Sequence, residues 1–442
     1  MTSQKNVLRV EPLMDNASPI ISVDNLRHTF KRGDQEAVVL DNVNIKLYPG
    51  EITALIGTSG SGKSTLLRIL AGLIKPTQGS VRWYDAQLTG PVPGLSMVFQ
   101  HFALMPWLTV LQNVELGLEA KGVPREERRA RALRAIDVIG MDGFESAYPK
   151  ELSGGMCQRV GLARALVVDP EVILMDEPFS ALDVLTAENL RNDLIDLWQS
   201  EKTRLKSIFL VTHNIEEAVL MADRILVFSN NPGSIFESMK IPLAHPRQPN
   251  HQDFEACVDS IYQAITKANT KRRQQTDAHL HLDYRIPSVE VSSMTGFLEE
   301  LLDERNERSD LSELADEHHL DLDELLPITE ALELLKLAEL SEGYIELSTA
   351  GKQLAEASIL DRKKIFASQI LNYIPLIRHI RSQLQQDPNH SIHESVFLDL
   401  IGDKLSEEAS REVLRVVIEW GRYAEVFAYN VHSGHLTLED PN

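Results

Sequence analysis

The sequence predicts an α/β fold with an inserted helical subdomain, followed by a mostly α-helical, winged-helix-like C-terminal region. Two apolar strands support the first part: Glu51–Gly57 runs into a glycine-rich turn and a helix, and Val172–Met175 ends in two acidic residues. Asp176 lies 113 residues after Lys63, which leaves room for an inserted subdomain. A change in charge after residue 286 indicates that the remaining third is a separate region.

Length, composition and charge limit the class of protein. The 442 residues suffice for about two to four domains, and 43% hydrophobic with 25% charged residues is ordinary for a soluble globular chain. No apolar run reaches the ~18–20 residues that span a bilayer and no signal peptide opens the chain, so we expect it not to cross a membrane by itself. Two cysteines, Cys157 and Cys257, exclude a disulfide scaffold and fit a reducing cytosol. The net charge is −3 over residues 1–286 and −18 over residues 287–442, so the C-terminal third is expected to repel nucleic acid.

A glycine-rich segment follows the first strand with the spacing G-x-x-x-x-G-K-[S/T]. Its nine residues are Gly57, Thr58, Ser59, Gly60, Ser61, Gly62, Lys63, Ser64 and Thr65. Glycines let backbone N–H groups curl around a phosphate chain, and the N-terminus of the next helix adds a positive partial charge. Lys63 is expected to reach the β- and γ-phosphates, and the Ser64 hydroxyl to ligate Mg²⁺. The segment therefore predicts a P-loop nucleotide-binding site.

Two acidic residues at the end of the second strand fit the same chemistry. Asp176 is placed to hold Mg²⁺ through water, and Glu177 to orient or deprotonate an attacking water. Acidic residues also end strands without any catalytic role. The pairing with a phosphate loop favours the catalytic interpretation.

A second glycine-rich helix start lies near the end of the predicted insert. Ser153, Gly154 and Gly155 follow Leu152 and would form another anion-binding nest. One phosphate loop already serves one nucleotide. The simplest explanation is therefore that this nest contacts a nucleotide held by another copy of the chain.

These motifs, together with Gln100, Ser180–Asp183 and His213 in that order, resemble the ATP-binding subunit of ABC transporters over about residues 20–245. The resemblance implies a P-loop NTPase whose helical subdomain covers about residues 100–165, and a head-to-tail homodimer with two ATP molecules and Mg²⁺. It implies that Gln100 touches Mg²⁺ and the attacking water. It also implies that His213 binds the γ-phosphate and holds that water in line.

The resemblance implies further contacts across the dimer and at the base. Ser153 and Gly155 would contact the γ-phosphate of the opposite subunit, and Asp183 would couple the two sites. Phe30 is the best match to the aromatic residue that stacks on adenine, for which a flat apolar ring is enough. The alternative is that Phe30 is a core residue.

The segment after Gln100 indicates the type of transporter. Leu104-Met-Pro-Trp107 looks like the Leu-Pro-Trp segment of importers for nitrate, sulfonate, taurine and bicarbonate. This resemblance implies a peripheral protein at the cytoplasmic face of the plasma membrane, bound to transmembrane permease subunits and served indirectly by a periplasmic or extracellular substrate-binding protein. A short permease helix could dock on the apolar patch that includes Pro106 and Trp107. The alternative is that these two side chains are core.

The acidic C-terminal third has its own helical pattern. Turn-prone and polar residues predict a linker at 271–286, between an ABC ATPase domain at 1–270 and a further domain at 287–442. The predicted elements of this domain are a helix over Thr295–Arg305, a helix from Ser309 with Ser309 and Asp310 as caps, a helical stretch over Asp323–Leu340 interrupted by Pro327, a hairpin at Ile345–Ser348, a helix over Ser406–Trp420 and a hairpin around Ser433-Gly434. This order predicts two winged-helix-like modules in tandem.

The C-terminal region also resembles the C-terminal AAA-associated domain of some ATPases of this importer branch, which implies a regulatory, dimerising or partner-binding role. One alternative is a soluble ABC ATPase that reads DNA through a winged helix, but the acidic candidate helix Asp323–Glu333 disfavours DNA binding, and we expect no nucleic-acid partner. A second alternative is a scaffold without ATPase activity, against which Lys63, Glu177 and His213 are intact. A metal sensor is a third alternative, and the histidine pairs that suggest it are His279/His281, His318/His319, His390/His393 and His432/His435.

Overall fold

Six strands form the central sheet of the N-terminal unit in the computed structural model of the protein. The residues that the structure describes are 18–32, 35–200, 203–229, 232–276, 282, 284–303, 308–318, 320–341, 343–402, 405 and 407–438. They fall into two compact units, one containing Val38–Val258 and the strand residues up to Thr29, the other containing Phe30–Ala37 and the residues from Asp259 onward. Within the described residues, no helix is both long and apolar enough to span a bilayer.

The elements up to residue 276 alternate between strands and helices. The strands are β1 (Ile21–Arg32), β2 (Gln35–Leu47), β3 (Glu51–Ile56), β4 (Gln78–Trp83), β5 (Ala86–Gln87), β6 (Leu95–Val98), β7 (Val172–Asp176), β8 (Ser207–Thr212), β9 (Arg224–Ser229) and β10 (Ser234–Lys240). The helices are α1 (Lys63–Leu70), α2 (Val110–Ala120), α3 (Arg125–Val138), α4 (Gly154–Leu166), α5 (Val184–Gln199), α6 (Ile215–Met221) and α7 (Gln252–Thr276), with a short 3-10 turn at Pro149–Glu151.

Two sheets enclose the core of this unit. The six-stranded sheet has the order β10-β9-β3-β8-β7-β6 and is parallel except for the β9–β10 pair. A four-stranded sheet has the order β2-β1-β4-β5. Strands β3 and β8 are buried along their whole length, as expected for apolar runs in a parallel sheet. The buried face of α1, with Leu66, Leu67 and Leu70, belongs to the same apolar cluster as residues of both sheets.

The predicted helical insert lies between β6 and β7. It consists of α2, α3 and α4, which pack against one another. Thr109 caps α2 by accepting a hydrogen bond from the Gln112 amide, and the Gln112 side chain accepts one from the Thr109 amide in return. The predicted α/β fold with an inserted helical subdomain is confirmed.

Two modules of the same topology follow in the C-terminal unit. The first comprises α8 (Val291–Asp303), β11 (Arg308–Asp310), α9 (Leu311–His318), α10 (Leu322–Leu334), β12 (Ala338–Ser341) and β13 (Tyr344–Leu347), with sheet order β11-β13-β12. Two further helices follow, α11 (Thr349–Glu356) and α12 (Ile359–Tyr373). The second module comprises α13 (Pro375–Gln386), β14 (Ser391–His393), α14 (Ser395–Gly402), α15 (Glu407–Tyr423), β15 (Ala428–Asn430) and β16 (His435–Thr437), with sheet order β14-β16-β15. Both modules have the helix–strand–helix–helix–hairpin order of a winged helix.

Three details of the C-terminal prediction are wrong. The helix expected over Asp323–Leu340 ends at Leu334, and Pro327 lies inside it without interrupting it. The chain leaves the helix because Lys336 is left-handed (φ 54°) and the Leu337 amide bonds back to the Leu332 carbonyl, which is a Schellman ending. Residues 338–341 then pair as β12.

Ser309 is the third wrong detail, because it lies in β11, paired with Ile345, and the helix begins only at Leu311. Asp310 lies at the start of the helix, where its Oδ1 accepts a hydrogen bond from the Ser312 amide at 2.8 Å. Of the predicted linker at 271–286, residues 271–276 continue α7, while 277–281 and 283 lie outside the described residues, as does Ser406.

Candidate functional site

The carboxyl ends of four parallel strands place most of the predicted site residues at one edge of the sheet. The glycine-rich segment follows β3, and His213 follows β8. Asp176 ends β7 with Glu177 directly after it, and Gln100 follows β6. The strands are neighbours in the order β3-β8-β7-β6, with Ile56 opposite Thr212 and Val211 opposite Asp176. Open α/β sheets bind ligands at this edge.

The glycine-rich loop is a preformed anion cradle. Gly60 and Gly62 have φ angles of 73° and 99°, which a side chain would strain. The Lys63 ammonium lies inside the loop and donates to the carbonyls of Gly57 at 2.6 Å and Thr58 at 2.9 Å. The Ser61 hydroxyl is buried and has no hydrogen-bond partner among the described residues. A buried ammonium and an unsatisfied hydroxyl at a helix N-terminus fit a phosphate chain.

Glu177 is the centre of the carboxylate side of the site. Its Oε2 accepts a hydrogen bond from Gln100 Nε2 at 2.8 Å and lies 3.4 Å from His213 Nδ1. The backbone at Glu177 is left-handed (φ 46°), and its amide donates to the Val211 carbonyl at 2.9 Å. A non-glycine residue in this region is strained, and such strain concentrates at functional sites. The structure thus brings Gln100 and His213, two of the predicted catalytic residues, to one carboxylate oxygen of the third, Glu177.

Asp176 and Ser64 face each other beside this carboxylate. The Ser64 hydroxyl donates to Asp176 Oδ1 at 3.2 Å. Burial raises the pKa of Asp176, and the hydrogen bond from Ser64 and the charge of Lys63 oppose that rise. A buried carboxylate beside a hydroxyl provides hard oxygen ligands of the kind that Mg²⁺ prefers.

The second glycine nest lies at the start of α4 and is accessible. Ser153 caps the helix by accepting a hydrogen bond from the Met156 amide at 3.3 Å, and both Ser153 and Gly154 are exposed. A Cβ atom at Gly155 would lie 2.9 Å from Thr186 Cγ2, so this glycine allows close packing against α5. Asp183 caps α5 by accepting from the Thr186 amide at 3.0 Å, and hydrogen bonds from the Thr186 side chain and then from this amide lower the pKa of Asp183. The nest and Asp183 therefore lie together.

Two aromatic side chains are more exposed than a core position would be. Phe30 on β1 is 47% exposed, and Trp107 is 70% exposed. The loop that carries Trp107 is fixed by Asn113, which is fully buried and bonds the backbone of Met105, Leu108 and Thr109. The core interpretation of Phe30 and of Trp107 is wrong.

Sequence reasoning missed Glu217, on the first turn of α6. Its side chain is buried, its Oε1 has no hydrogen-bond partner in the part of the chain that the structure describes, and Thr212 is bonded to the carboxyl. Burial raises the pKa of Glu217 to about 7, against smaller opposing effects from Thr212, Arg191 and His213. In the sequence it is one of two adjacent acids at a helix start, which is a common favourable pattern on exposed helices, so only the structure separates it from Glu216.

The histidine pairs are engaged locally where the structure describes them. His393 and His435 pack edge to face, His393 Nδ1 is bonded to the Ser395 hydroxyl, and His318 lies 3.4 Å from Glu300. Across the described ranges, no three His, Cys, Asp or Glu side chains form a group that could hold a metal ion. His279, His281 and His319 lie outside those ranges.

A phosphate cradle, a magnesium-type oxygen set and an acid–amide–imidazole cluster at one sheet edge define a P-loop nucleotide hydrolase. Comparison with known proteins specifies the class. The ABC transporter family model matches residues 40–180, and the C-terminal AAA-associated domain model matches residues 312–430.

Three relatives are similar to the N-terminal half. An uncharacterised ABC transporter ATP-binding protein of Methanocaldococcus jannaschii is 47% identical over 234 residues, which are 53% of this chain and 86% of that protein. The nitrate import ATP-binding protein NrtD of Synechocystis is 47% identical over 226 residues, 50% of this chain and 83% of that protein. The aliphatic sulfonates import ATP-binding protein SsuB of Bacillus subtilis is 41% identical over 247 residues, 56% of this chain and 94% of that protein. The chain belongs to the ABC transporter ATP-binding proteins and is an ABC-type ATPase.

The buried carboxyl of Glu217 predicts a pH-dependent effect on stability. Its folded-state pKa of about 7 lies above the usual 4.5, so the unfolded chain loses this proton first and the free energy of unfolding falls as pH rises between the two values. Glu217→Gln removes the titrating carboxyl and therefore removes this fall in the free energy of unfolding. The variant should match the wild type near about pH 5 and exceed it near about pH 8, by on the order of 3 kcal/mol.

Thermal unfolding of both proteins across this pH range measures the effect. Glu216→Gln is the matched control, because Glu216 is the exposed neighbour on the same helical turn, and it should show no such divergence. Parallel pH profiles for Glu217→Gln and the wild type would contradict the prediction.

Proposed function

We propose that this ATPase is the energy-converting subunit of an ABC importer for a small anion or organosulfur compound of the nitrate, sulfonate, taurine or bicarbonate type. The observation that carries the catalytic part is the meeting of Gln100 and His213 on one oxygen of Glu177. The similarity to nitrate and sulfonate import proteins over most of their length supports the importer type.

The roles of the site residues follow from their positions. The loop Gly57–Thr65 binds the phosphate chain through its backbone amides and Lys63. Ser64, Gln100 and Asp176 would hold Mg²⁺, which neutralises charge on the phosphate oxygens when bound. Glu177 accepts the proton of the attacking water.

His213 and a second role of Gln100 complete this arrangement. His213 orients the water and binds the γ-phosphate. Gln100 positions the Glu177 carboxylate through the bond that it donates.

Replacing the proposed base tests the catalytic assignment. Glu177→Gln should leave ATP affinity within about twofold of the wild type and lower turnover by about 100-fold or more, because an amide cannot accept the proton. Binding is measured by calorimetry and turnover by phosphate release. Glu216→Gln is the control and should keep normal turnover; sustained hydrolysis by Glu177→Gln would remove Glu177 from its role.

We also propose that two copies of the chain form a head-to-tail homodimer around two ATP molecules. Support comes from the nest at Ser153 and Gly154, because both residues are exposed in one chain. Asp183, beside this nest, would link the two sites. Phe30 as the adenine contact stays a prediction.

A charge placed in the nest tests the dimer. A Cβ at Gly154 would meet nothing closer than 3.6 Å, and glutamate is favourable in the first turn of a helix, so Gly154→Glu should not harm the isolated chain. In a Glu177→Gln background, ATP should double the mass seen by light scattering, and adding Gly154→Glu should prevent this while ATP still binds. Equal ATP-driven dimerisation with and without Gly154→Glu would contradict the model.

We propose that the permease docks on the loop bearing Met105 and Trp107. The loop is held rigidly by Asn113 and presents an exposed indole, the kind of anchor that interfaces favour. This docking would place the chain peripherally at the cytoplasmic face of the membrane. The substrate-binding protein would then act only through the permease.

Removing the indole tests the docking. Trp107→Ala should leave the ATPase rate of the isolated chain within about twofold of the wild type, because the side chain is 70% exposed, and should abolish co-purification with the permease from membranes. Phe144→Ala, which removes another exposed aromatic side chain of the insert, is the control. Uptake of nitrate, taurine and an alkanesulfonate by the wild-type complex identifies the substrate. Unchanged co-purification of Trp107→Ala would exclude this surface.

For the chain as a whole we propose an ATPase domain at 1–270, a linker at 271–286 and an acidic AAA-associated domain at 287–442 with a regulatory or dimerising role. The amphipathic acidic helices of this domain support partner binding, and α10 has four acidic residues and no basic one, which disfavours DNA.

A further inference from the structure

Two consecutive residues in the loop after Gln100 have a strained backbone. Phe102 and Ala103 both have positive φ angles, 37° and 47°, in the region that side chains disfavour. Neither is glycine, asparagine or aspartate, the residues that tolerate this conformation best. Such a segment persists only when its surroundings hold it. We therefore expect a contact that fixes the loop in this conformation.

Arg164, near the end of α4, makes that contact. Its Nη1 donates to the Ala103 carbonyl at 2.6 Å and its Nη2 to the Phe102 carbonyl at 2.8 Å, so the planar guanidinium grips both strained peptides at once. Burial lowers the pKa of Arg164, and among the described residues its side chain forms no ion pair. The partly buried guanidinium therefore holds the loop through hydrogen bonds to two carbonyls and does not neutralise an acidic side chain.

Helix α4 accommodates Phe102 along its length. The position that a Cβ would take at Gly161 lies 3.6 Å from the Phe102 carbonyl oxygen, and the corresponding position at Gly154 lies 3.8 Å from the tip of the Phe102 ring. The two glycines are seven residues apart and so share one face of the helix. Phe102 thus spans from the nest at the start of α4 to Arg164 near its end.

From these contacts we propose that Arg164 is a positioning residue that holds the loop after Gln100 in its strained form, and so keeps Gln100 bonded to Glu177. Since the same helix begins at Ser153, the arrangement also ties the position of Gln100 to that of the nest. A change at one end of α4 is then transmitted to the carboxylate through a rigid contact. The inference rests on the proposed function only in taking Glu177 as the base.

Removal of the guanidinium, with and without relief of the strain, tests the proposal. Arg164→Met should reduce kcat about tenfold or more while the affinity for ATP stays within about twofold, because the loop Gly57–Thr65 binds the phosphate chain, whereas the bond from Gln100 to Glu177 acts on the hydrolysis step. Glycine adopts positive φ without steric cost, so Ala103→Gly should restore at least about threefold of the lost kcat in the Arg164→Met background and have little effect alone. Arg164→Lys lacks the two-armed guanidinium that bonds both carbonyls, and its kcat should lie between those of the wild type and Arg164→Met.

Hydrogen–deuterium exchange of the full chain separates positioning from general destabilisation. Arg164→Met should speed exchange in a peptide covering residues 100–104 and leave unchanged a peptide covering 105–113, which Asn113 holds independently. Arg134→Met, on the exposed face of α3, controls for the loss of an arginine. It should change neither kcat nor exchange.

Two results would overturn the proposal. One is an Arg164→Met variant with kcat near the wild type, and the other is a loss of kcat that Ala103→Gly does not restore while both peptides exchange faster. Failure of the proposed function is distinguishable, because in that case Glu177→Gln would still hydrolyse ATP whatever Arg164 does.

Discussion

Parallel pairing of β3 with β8, and of β8 with β7, is the constraint on which the rest of the site depends. It brings three strand ends from distant parts of the sequence to one edge, and β6 adds a fourth. Each strand end contributes one kind of group to the site. The phosphate cradle follows β3, the imidazole follows β8, the carboxylate pair lies at the end of β7, and the amide follows β6. A slip of one residue in any of these registers would turn the last side chain to the other face of the sheet. The deep burial of β3, β7 and β8 makes such a slip costly.

Backbone strain collects around the same edge. Glu177 is left-handed at the end of β7, and Phe102 and Ala103 are left-handed just beyond β6. The left-handed conformation of each of these residues costs on the order of 1–3 kcal/mol, and it persists because surrounding contacts offset that cost. Bonds that Gln100 donates to Glu177 and that Arg164 donates to the loop act on these positions. The buried carboxyl of Glu217, one of whose oxygens has no hydrogen-bond partner among the described residues, is close enough to His213 and Glu177 for their charges to affect its pKa.

The sequence predicts the parts of this site that depend on residue type and spacing. The glycine-rich loop, the acid pair after an apolar strand and the nest at Ser153 were readable because each needs particular residues at fixed positions. Arg164 and Glu217 were not readable, since arginine in a last helical turn and glutamate in a first turn are ordinary. Their roles come from burial and from contacts far along the chain. In the C-terminal unit, short segments beside glycine-containing turns predicted the hairpins, but the left-handed Lys336 that ends α10 carries no signal that separates it from a helical lysine.

The repeated module of the C-terminal unit has a consequence for recognition. The two copies share one topology but differ in the helix that precedes the hairpin: α10 carries four acidic residues and no arginine, whereas α15 carries Arg411, Arg415 and Arg422 among its acids. The winged-helix topology that the two modules share therefore does not depend on the charges of the helix before the hairpin. A duplicated scaffold whose equivalent helices differ in charge pattern presents two dissimilar surfaces, so the two modules are not interchangeable in what they can bind.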